Sequence, residues 1–129
     1  MNPATATRIA AATGLLAVLL GAFGAHGLKD WLGANGTAAI WEKAVFYHFI
    51  HTVMLFVLAA RNPFPAAAWW CFLAGIVFFS GSLYLLAATN AHWLGAITPV
   101  GGVCFLAGWG WLVCCPRGKR EPSAPEPPG

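Results

Sequence analysis

The chain has 129 residues, of which 59% are hydrophobic and 9% charged, and its formal net charge is +3. Soluble domains contain roughly 45–50% apolar and about 25% charged residues. Seven Lys and Arg with four Asp and Glu are too few to cover a water-facing surface, which excludes a soluble domain. The small, scattered positive charge also argues against a nucleic-acid partner. Because a soluble domain is excluded, the sequence predicts that the protein lies in a lipid bilayer.

Four continuous apolar stretches have the length of a membrane-spanning helix, which needs about 20 residues. The predicted spans are residues 9–28, 44–60, 66–88 and 94–115. These stretches are continuously apolar rather than alternating, which favours helices over the strands of a barrel. The predicted fold is therefore an all-α membrane protein, a bundle of four transmembrane helices within residues 9–115.

The segments outside the spans are short. Residues 1–8 precede the first span, and the next connection contains Asn35-Gly36, a turn signal, with Thr37 placed to cap the second span. Residues 116–129 are basic and then Pro-rich, which predicts a disordered tail. The first span could alternatively be a signal peptide cleaved after Gly24, but its apolar run is nearer a full span than a signal core.

Positive charges predict the orientation, because cytoplasmic segments are enriched in Lys and Arg. With both termini cytoplasmic, five basic residues lie inside and two outside. The inner residues are Arg8, Arg61, Arg117, Lys119 and Arg120, and the outer residues are Lys29 and Lys43. The tryptophans then fall near the span ends, with Trp109 toward the inner interface. The prediction is a multi-pass protein of the cell membrane, the bacterial inner membrane, with both termini cytoplasmic.

Polar side chains are concentrated in the predicted outer half of the bundle. Such groups are costly in lipid and normally face the bundle interior or a cavity, so we expect them to line a polar pocket. The candidate pocket residues are His26, Tyr47, His48, His51, Thr52, Ser80, Ser82, Tyr84 and Thr98. None is assigned a catalytic, metal-binding or cofactor-binding role.

His48 and His51 are three residues apart and therefore share one helical face. Such a pair can hold a metal, ligate haem, relay protons, or simply form hydrogen bonds to hydroxyl groups on the next helix. A metal site usually adds a third ligand, for which His26 is the only candidate, and no carboxylate lies within a span. Structural hydrogen bonding is the favoured interpretation, and the cofactor stays unknown.

Small residues four apart predict close packing of helices. Ala10 with Gly14 and Gly21 with Ala25 are two such pairs. Gly81, between two serines, predicts that the third span passes close to a partner at that point.

Four motifs in order make the chain similar to a known family. They are Gly-Ala-Phe-Gly-Ala-His-Gly-Leu at 21–28, Trp41 with Tyr-His-Phe-Ile-His at 47–51, Phe-Ser-Gly-Ser-Leu-Tyr at 79–84, and Leu-Gly-Ala-Ile-Thr-Pro-Val-Gly-Gly at 94–102. Together they resemble the membrane family called domain of unknown function 423, which includes eukaryotic transmembrane protein 256. The resemblance covers about residues 8–113. It implies a small multi-span membrane protein and no particular reaction.

The leading hypothesis is a non-enzymatic accessory or structural membrane component, in a homo-oligomer or a larger membrane complex. Its basis is that the spans contain no nucleophile–base–orienter set and no carboxylate pair. The first alternative is a redox subunit that binds metal or haem through His26, His48 and His51. The second alternative is a small oligomeric transporter or proton-linked permease.

Overall fold

A computed structural model describes residues 1–115 of the chain, so the predicted tail at 116–129 lies outside the described residues. Four helices are long and apolar enough to cross a membrane. They are Pro3–Ala25, Ala38–Ala59, Ala66–Thr89 and His92–Cys114, called spans 1 to 4 below. The predictions of an all-α class and of four transmembrane helices are confirmed.

Span 1 begins before the predicted residue 9 because the chain supplies an N-cap at Asn2. The Oδ1 atom of Asn2 accepts hydrogen bonds from the backbone N–H groups of Ala4 and Thr5, at 2.6 and 3.4 Å. Pro3 opens the helix, where its missing N–H costs no intrahelical bond. Polar caps of this kind let a helix extend beyond its apolar run.

The connection between spans 1 and 2 contains a short helix, Lys29–Ala34, followed by the predicted turn, in which Gly36 has a φ of 66°. Thr37 does not cap span 2 through its side chain. Its Oγ1 instead donates to the carbonyl of Ala87 at 2.8 Å, and the indole N–H of Trp31 donates to the carbonyl of Ala88 at 2.9 Å. Carbonyls at a helix end lack intrahelical partners, so this connection caps span 3.

Spans 2 and 3 form the centre of the molecule. Span 1 packs against span 2, span 2 against span 3, and span 3 against span 4, while spans 1 and 4 share no extensive interface within residues 1–115. Accordingly 39% and 44% of the most apolar stretch is buried in spans 2 and 3, against 11% and 17% in spans 1 and 4. The end that holds the Lys29–Ala34 helix is the predicted outer end and is called the outer end below.

Small side chains allow span 1 to lie close to span 2, as predicted. Ala6, Ala10 and Ala17 are buried, and a Cβ atom on Gly14 would lie 3.3 Å from the Cγ2 atom of Thr52. Span 1 can therefore approach span 2 closely because its side chains at this interface are small. Packing through the Ala10 and Gly14 pair is confirmed.

The close approach between spans 3 and 4 is not at the predicted glycine. A Cβ atom on Gly81 would have no neighbour within 4 Å in the described part of the chain, so the prediction for Gly81 is wrong. A Cβ atom on Gly101 of span 4 would instead overlap the backbone of Phe79. The two helices can lie this close because Gly101 has no side chain.

Spans 3 and 4 are not regular α-helices throughout. Span 3 consists of Ala66–Gly75, a π-helical turn at Ile76–Ser80, and Gly81–Thr89. Span 4 opens with the 3₁₀ turn His92–Ala96 and continues as the α-helix Thr98–Cys114. Single π-helical turns inside α-helices are frequent at functional sites, and this one lies beside the polar residues described next.

Candidate functional site

The His51 side chain of span 2 reaches Phe105 and Trp109 of span 4. Its Nδ1 is 2.7 Å from the carbonyl oxygen of Tyr47, which can only accept, so Nδ1 carries the proton. Its Nε2 is 3.2 Å from the indole N–H of Trp109, which can only donate. The His51 ring is stacked on Phe105, with ring centroids 3.6 Å apart. Both ring nitrogens are therefore in use, and neither offers a free lone pair to a metal.

A second polar contact joins spans 2 and 3. The Nδ1 atom of His48 lies 3.1 Å from the hydroxyl of Tyr84, whose ring packs edge-on against Trp41 at a centroid distance of 4.8 Å. His48 is buried, and its Nε2 atom has no hydrogen-bond partner among the described residues. The backbone of Thr13 in span 1 lies near the His48 ring. Within the described residues, His48 therefore has a hydrogen-bond partner at only one of its two ring nitrogens.

A third contact joins spans 3 and 4. Ser82 Oγ is 2.8 Å from Thr98 Oγ1 and 3.0 Å from the carbonyl oxygen of Phe79. Because that carbonyl can only accept, Ser82 donates to it, and Thr98 donates to Ser82. Hydrogen bonds between membrane helices contribute about 0.6 kcal/mol each on average. The polar residues therefore hold neighbouring spans together in pairs.

Two buried hydroxyl groups near these pairs have no partner among residues 1–115: Thr52 Oγ1 and Ser80 Oγ. Thr52 lies one turn after His48, and Ser80 lies one turn before Tyr84 at the end of the π-helical turn. The two spans are antiparallel and touch through His48 and Tyr84. Both hydroxyls therefore lie about 5 Å further toward the inner end. Unpaired polar groups are costly in a membrane interior.

The polar residues extend deeper than the predicted outer half because span 2 begins at Ala38 rather than at residue 44. At 1.5 Å per residue, His48 and His51 lie about 15 and 20 Å from Ala38, in a helix that continues to Ala59. His51 is therefore nearer the inner end of span 2. The paired groups are therefore spread along the bundle, from Ser82 and Thr98 nearer the outer ends of spans 3 and 4 to His51 and Trp109 nearer the inner ends of spans 2 and 4.

His26 does not join the other two histidines. It is exposed at the C-cap of span 1, at the outer end. Within the described part of the chain, no group of three or more His, Cys, Asp or Glu side chains is placed to hold a metal ion. The three-histidine site that the sequence suggested, His26 with His48 and His51, is not assembled in this structure.

Tyr47 also differs from the other candidates, because its side chain faces aromatic rings. Its ring packs on Phe79 at a centroid distance of 4.5 Å, and the residue is 36% exposed. Its polar contribution is the backbone carbonyl that positions His51. The bond between Trp109 and His51 was not predicted from the sequence. The sequence offers one signal for it, because a tryptophan within a membrane span needs a hydrogen-bond partner for its indole N–H. The membrane–water interface can also provide such a partner.

A groove with a volume of about 440 Å³ lies at the outer end, between spans 1 and 2 and the Lys29–Ala34 helix. Gly21, Gly24 and Ala25 line it from span 1. The Trp41 ring lies where a Cβ atom on Gly24 would otherwise be, and its N–H donates to the carbonyl of Leu20 at 2.9 Å. This groove was not predicted from the sequence.

Comparisons with known proteins place the chain in a family. The family model described as "Protein of unknown function (DUF423)" matches residues 20–102. This range includes all the residues that line the groove and two of the polar pairs, His48 with Tyr84 and Ser82 with Thr98. A "UPF0382 membrane protein" from Staphylococcus epidermidis is 47% identical over 109 residues, covering 81% of this chain and 88% of that protein. No solved structure matches.

Two further relatives extend this range of organisms. "UPF0382 membrane protein YwdK" from Bacillus subtilis is 44% identical over 111 residues, with 81% and 89% of the two chains covered. "UPF0382 inner membrane protein YgdD" from Escherichia coli is 42% identical over 118 residues, with 87% and 89% covered. The resemblance based on the four motifs is confirmed. The chain is a multi-pass membrane protein and belongs to the DUF423 family of UPF0382 membrane proteins.

Proposed function

We propose that this protein is a non-enzymatic component of the bacterial inner membrane with an accessory or structural role. The observation that supports it is the pairing of intramembrane polar side chains with one another. The pairs are His48 with Tyr84, His51 with Trp109, and Ser82 with Thr98. Groups engaged in holding helices together are not free to act on a substrate. The relative YgdD is named an inner membrane protein, which supports the inner-membrane location.

The experiment that tests this role compares His51→Ala with His26→Ala in the purified protein. If the histidines are structural, His51→Ala lowers the free energy of unfolding by about 1–3 kcal/mol because it leaves the Trp109 N–H unpaired. His26 is exposed at the end of span 1, so His26→Ala leaves stability nearly unchanged. Unfolding in mixed micelles, followed by circular dichroism, measures both variants.

The same samples test the redox alternative. A metal- or haem-binding subunit would carry stoichiometric metal by elemental analysis or a Soret band, and His26→Ala and His51→Ala would both diminish that signal. Such a result would overturn the structural role. The structural role is supported if the wild-type protein shows neither signal and His51→Ala is less stable than His26→Ala.

One observation favours a second candidate, a small permease for protons or a small polar solute. Within residues 1–115, His48 Nε2, Thr52 Oγ1 and Ser80 Oγ are buried without hydrogen-bond partners at neighbouring levels of the bundle, and intramembrane polar groups often mark a conduction path. The double variant Thr52→Val, Ser80→Ala removes both hydroxyls with little change in shape. Proton flux in proteoliposomes that is unchanged in this variant would argue against a permease.

A further inference from the structure

The groove at the outer end has the dimensions of a lipid chain. Its wall on span 2 runs from Ala38 to Ile50, which is about 18 Å at 1.5 Å per residue. The hydrocarbon core of a bilayer is about 30 Å thick, so the groove extends from the outer end to about the depth of one leaflet. The exposed rings of Phe46 and Phe49 border it.

The chemistry of the groove is apolar with one exception. All its lining residues are Gly, Ala, Leu, Val, Ile, Phe or Trp except Glu42. The N–H of Trp41 is already bound to the carbonyl of Leu20, so it is not available to a ligand. Lys43 is adjacent in sequence but does not line the groove. The groove therefore offers one polar group, a carboxylate.

Glu42 is located where a lipid headgroup would be. It lies one turn beyond Ala38, about 6 Å from the outer end of span 2, and its side chain is exposed. The lining below it, through Val45 and Phe49 to Ile50, has no charge. A carboxylate attracts an ammonium group and repels a headgroup with a net negative charge.

We propose that this groove binds one acyl chain of a phospholipid with a primary ammonium headgroup, from the leaflet at the outer end, with the ammonium paired to Glu42. The apolar lining of the groove favours an acyl chain, and the carboxylate of Glu42 near the outer end favours the ammonium headgroup. The inference is independent of the role proposed above, because it involves none of the paired polar residues. Pockets of about 300–1,000 Å³ are typical of small-ligand sites, and this groove falls in that range.

The test uses the purified full chain in nanodiscs of equal parts phosphatidylethanolamine and phosphatidylglycerol. One of the two lipids carries a photoactivatable diazirine in its acyl chain, and mass spectrometry maps the labelled peptides. We expect peptides containing residues 38–50 to be labelled about threefold more by the phosphatidylethanolamine probe, a preference in the range of an exposed ion pair. Equal labelling by both probes, or a preference for phosphatidylglycerol, would overturn the proposal.

Variants separate the headgroup from the chain. Glu42→Gln should abolish the preference between the two probes, and Glu42→Asp should retain most of it. Ala25→Phe fills the groove and should reduce labelling at 38–50 by both probes. Its control is Ala107→Phe, an exposed alanine of span 4 outside the groove, which should change nothing. Unchanged labelling in Ala25→Phe, or an unchanged preference in Glu42→Gln, contradicts the binding site.

Discussion

His51 and Thr52 are neighbours in span 2, yet their polar atoms have opposite surroundings. His51 has a partner at each ring nitrogen, whereas Thr52 Oγ1 is buried with none among the described residues. A hydroxyl removed from water without a partner loses its hydrogen bonds to solvent and gains nothing in return. Burial alone therefore does not tell which polar residue stabilises the bundle.

This contrast gives a prediction for two threonines. Thr52→Val should raise the free energy of unfolding by about 1 kcal/mol, because it removes an unpaired hydroxyl and keeps the side-chain shape. Thr98→Val is the matched control and should lower it by about 0.6 kcal/mol, the average worth of an interhelical hydrogen bond. Reversible unfolding in mixed micelles measures both. A loss of stability in Thr52→Val would mean that a group outside residues 1–115 pairs with this hydroxyl.

At the scale of elements, spans 3 and 4 are held together by a backbone contact and a side-chain pair. Gly101 lies against the backbone of Phe79, and Ser82 is bonded to Thr98 nearby. A backbone neighbour cannot move aside as a flexible side chain can. The distance between these spans is therefore set by the missing side chain at residue 101.

Two adjacent glycines test this reading. Gly101→Ala should cost about 1–3 kcal/mol, the usual penalty for overpacking, because its Cβ atom would overlap the backbone of Phe79. Gly102→Ala should cause no loss, since the nearest atom to its Cβ would be 3.9 Å away. Thermal unfolding of the two variants in the same detergent measures the difference. Similar stabilities for both would contradict the close approach at residue 101.

The whole molecule has two lightly covered spans, 1 and 4, on either side of two central ones. Lipid satisfies such apolar faces directly, so they do not require a protein partner, although a homo-oligomer or a larger complex stays our expectation from the sequence. The four spans place the first and last described residues at the same end. The charge distribution predicts that this end is cytoplasmic.

Cysteine labelling tests the orientation. In a background with the four native cysteines replaced, Gly33→Cys in the outer connection should react with a membrane-impermeant maleimide added to intact cells. Ala60→Cys, exposed after span 2 at the other end, should react only after the membrane is opened. The opposite pattern would reverse the predicted orientation.

The lipid surroundings, the helical class and the approximate spans could be predicted from the sequence alone, because a long run of apolar residues can be accommodated in lipid only as a helix with its backbone paired. Of the residues that the sequence suggested for a polar pocket, His48 and Ser82 are buried and Tyr84 and Thr98 are partly buried. Which of these residues contact one another depends on the register between antiparallel spans. Between spans 3 and 4 that register includes the close approach of Gly101 to the backbone of Phe79.

The same reason explains what the sequence could not show. The bond from Trp109 to His51 joins residues 58 positions apart, and the groove beside Glu42 exists only where spans 1 and 2 enclose it with the short helix. The isolation of His26 follows from the helix ending at Ala25. Each depends on relative positions of helices, which are decided by packing between them and not by the composition of any one.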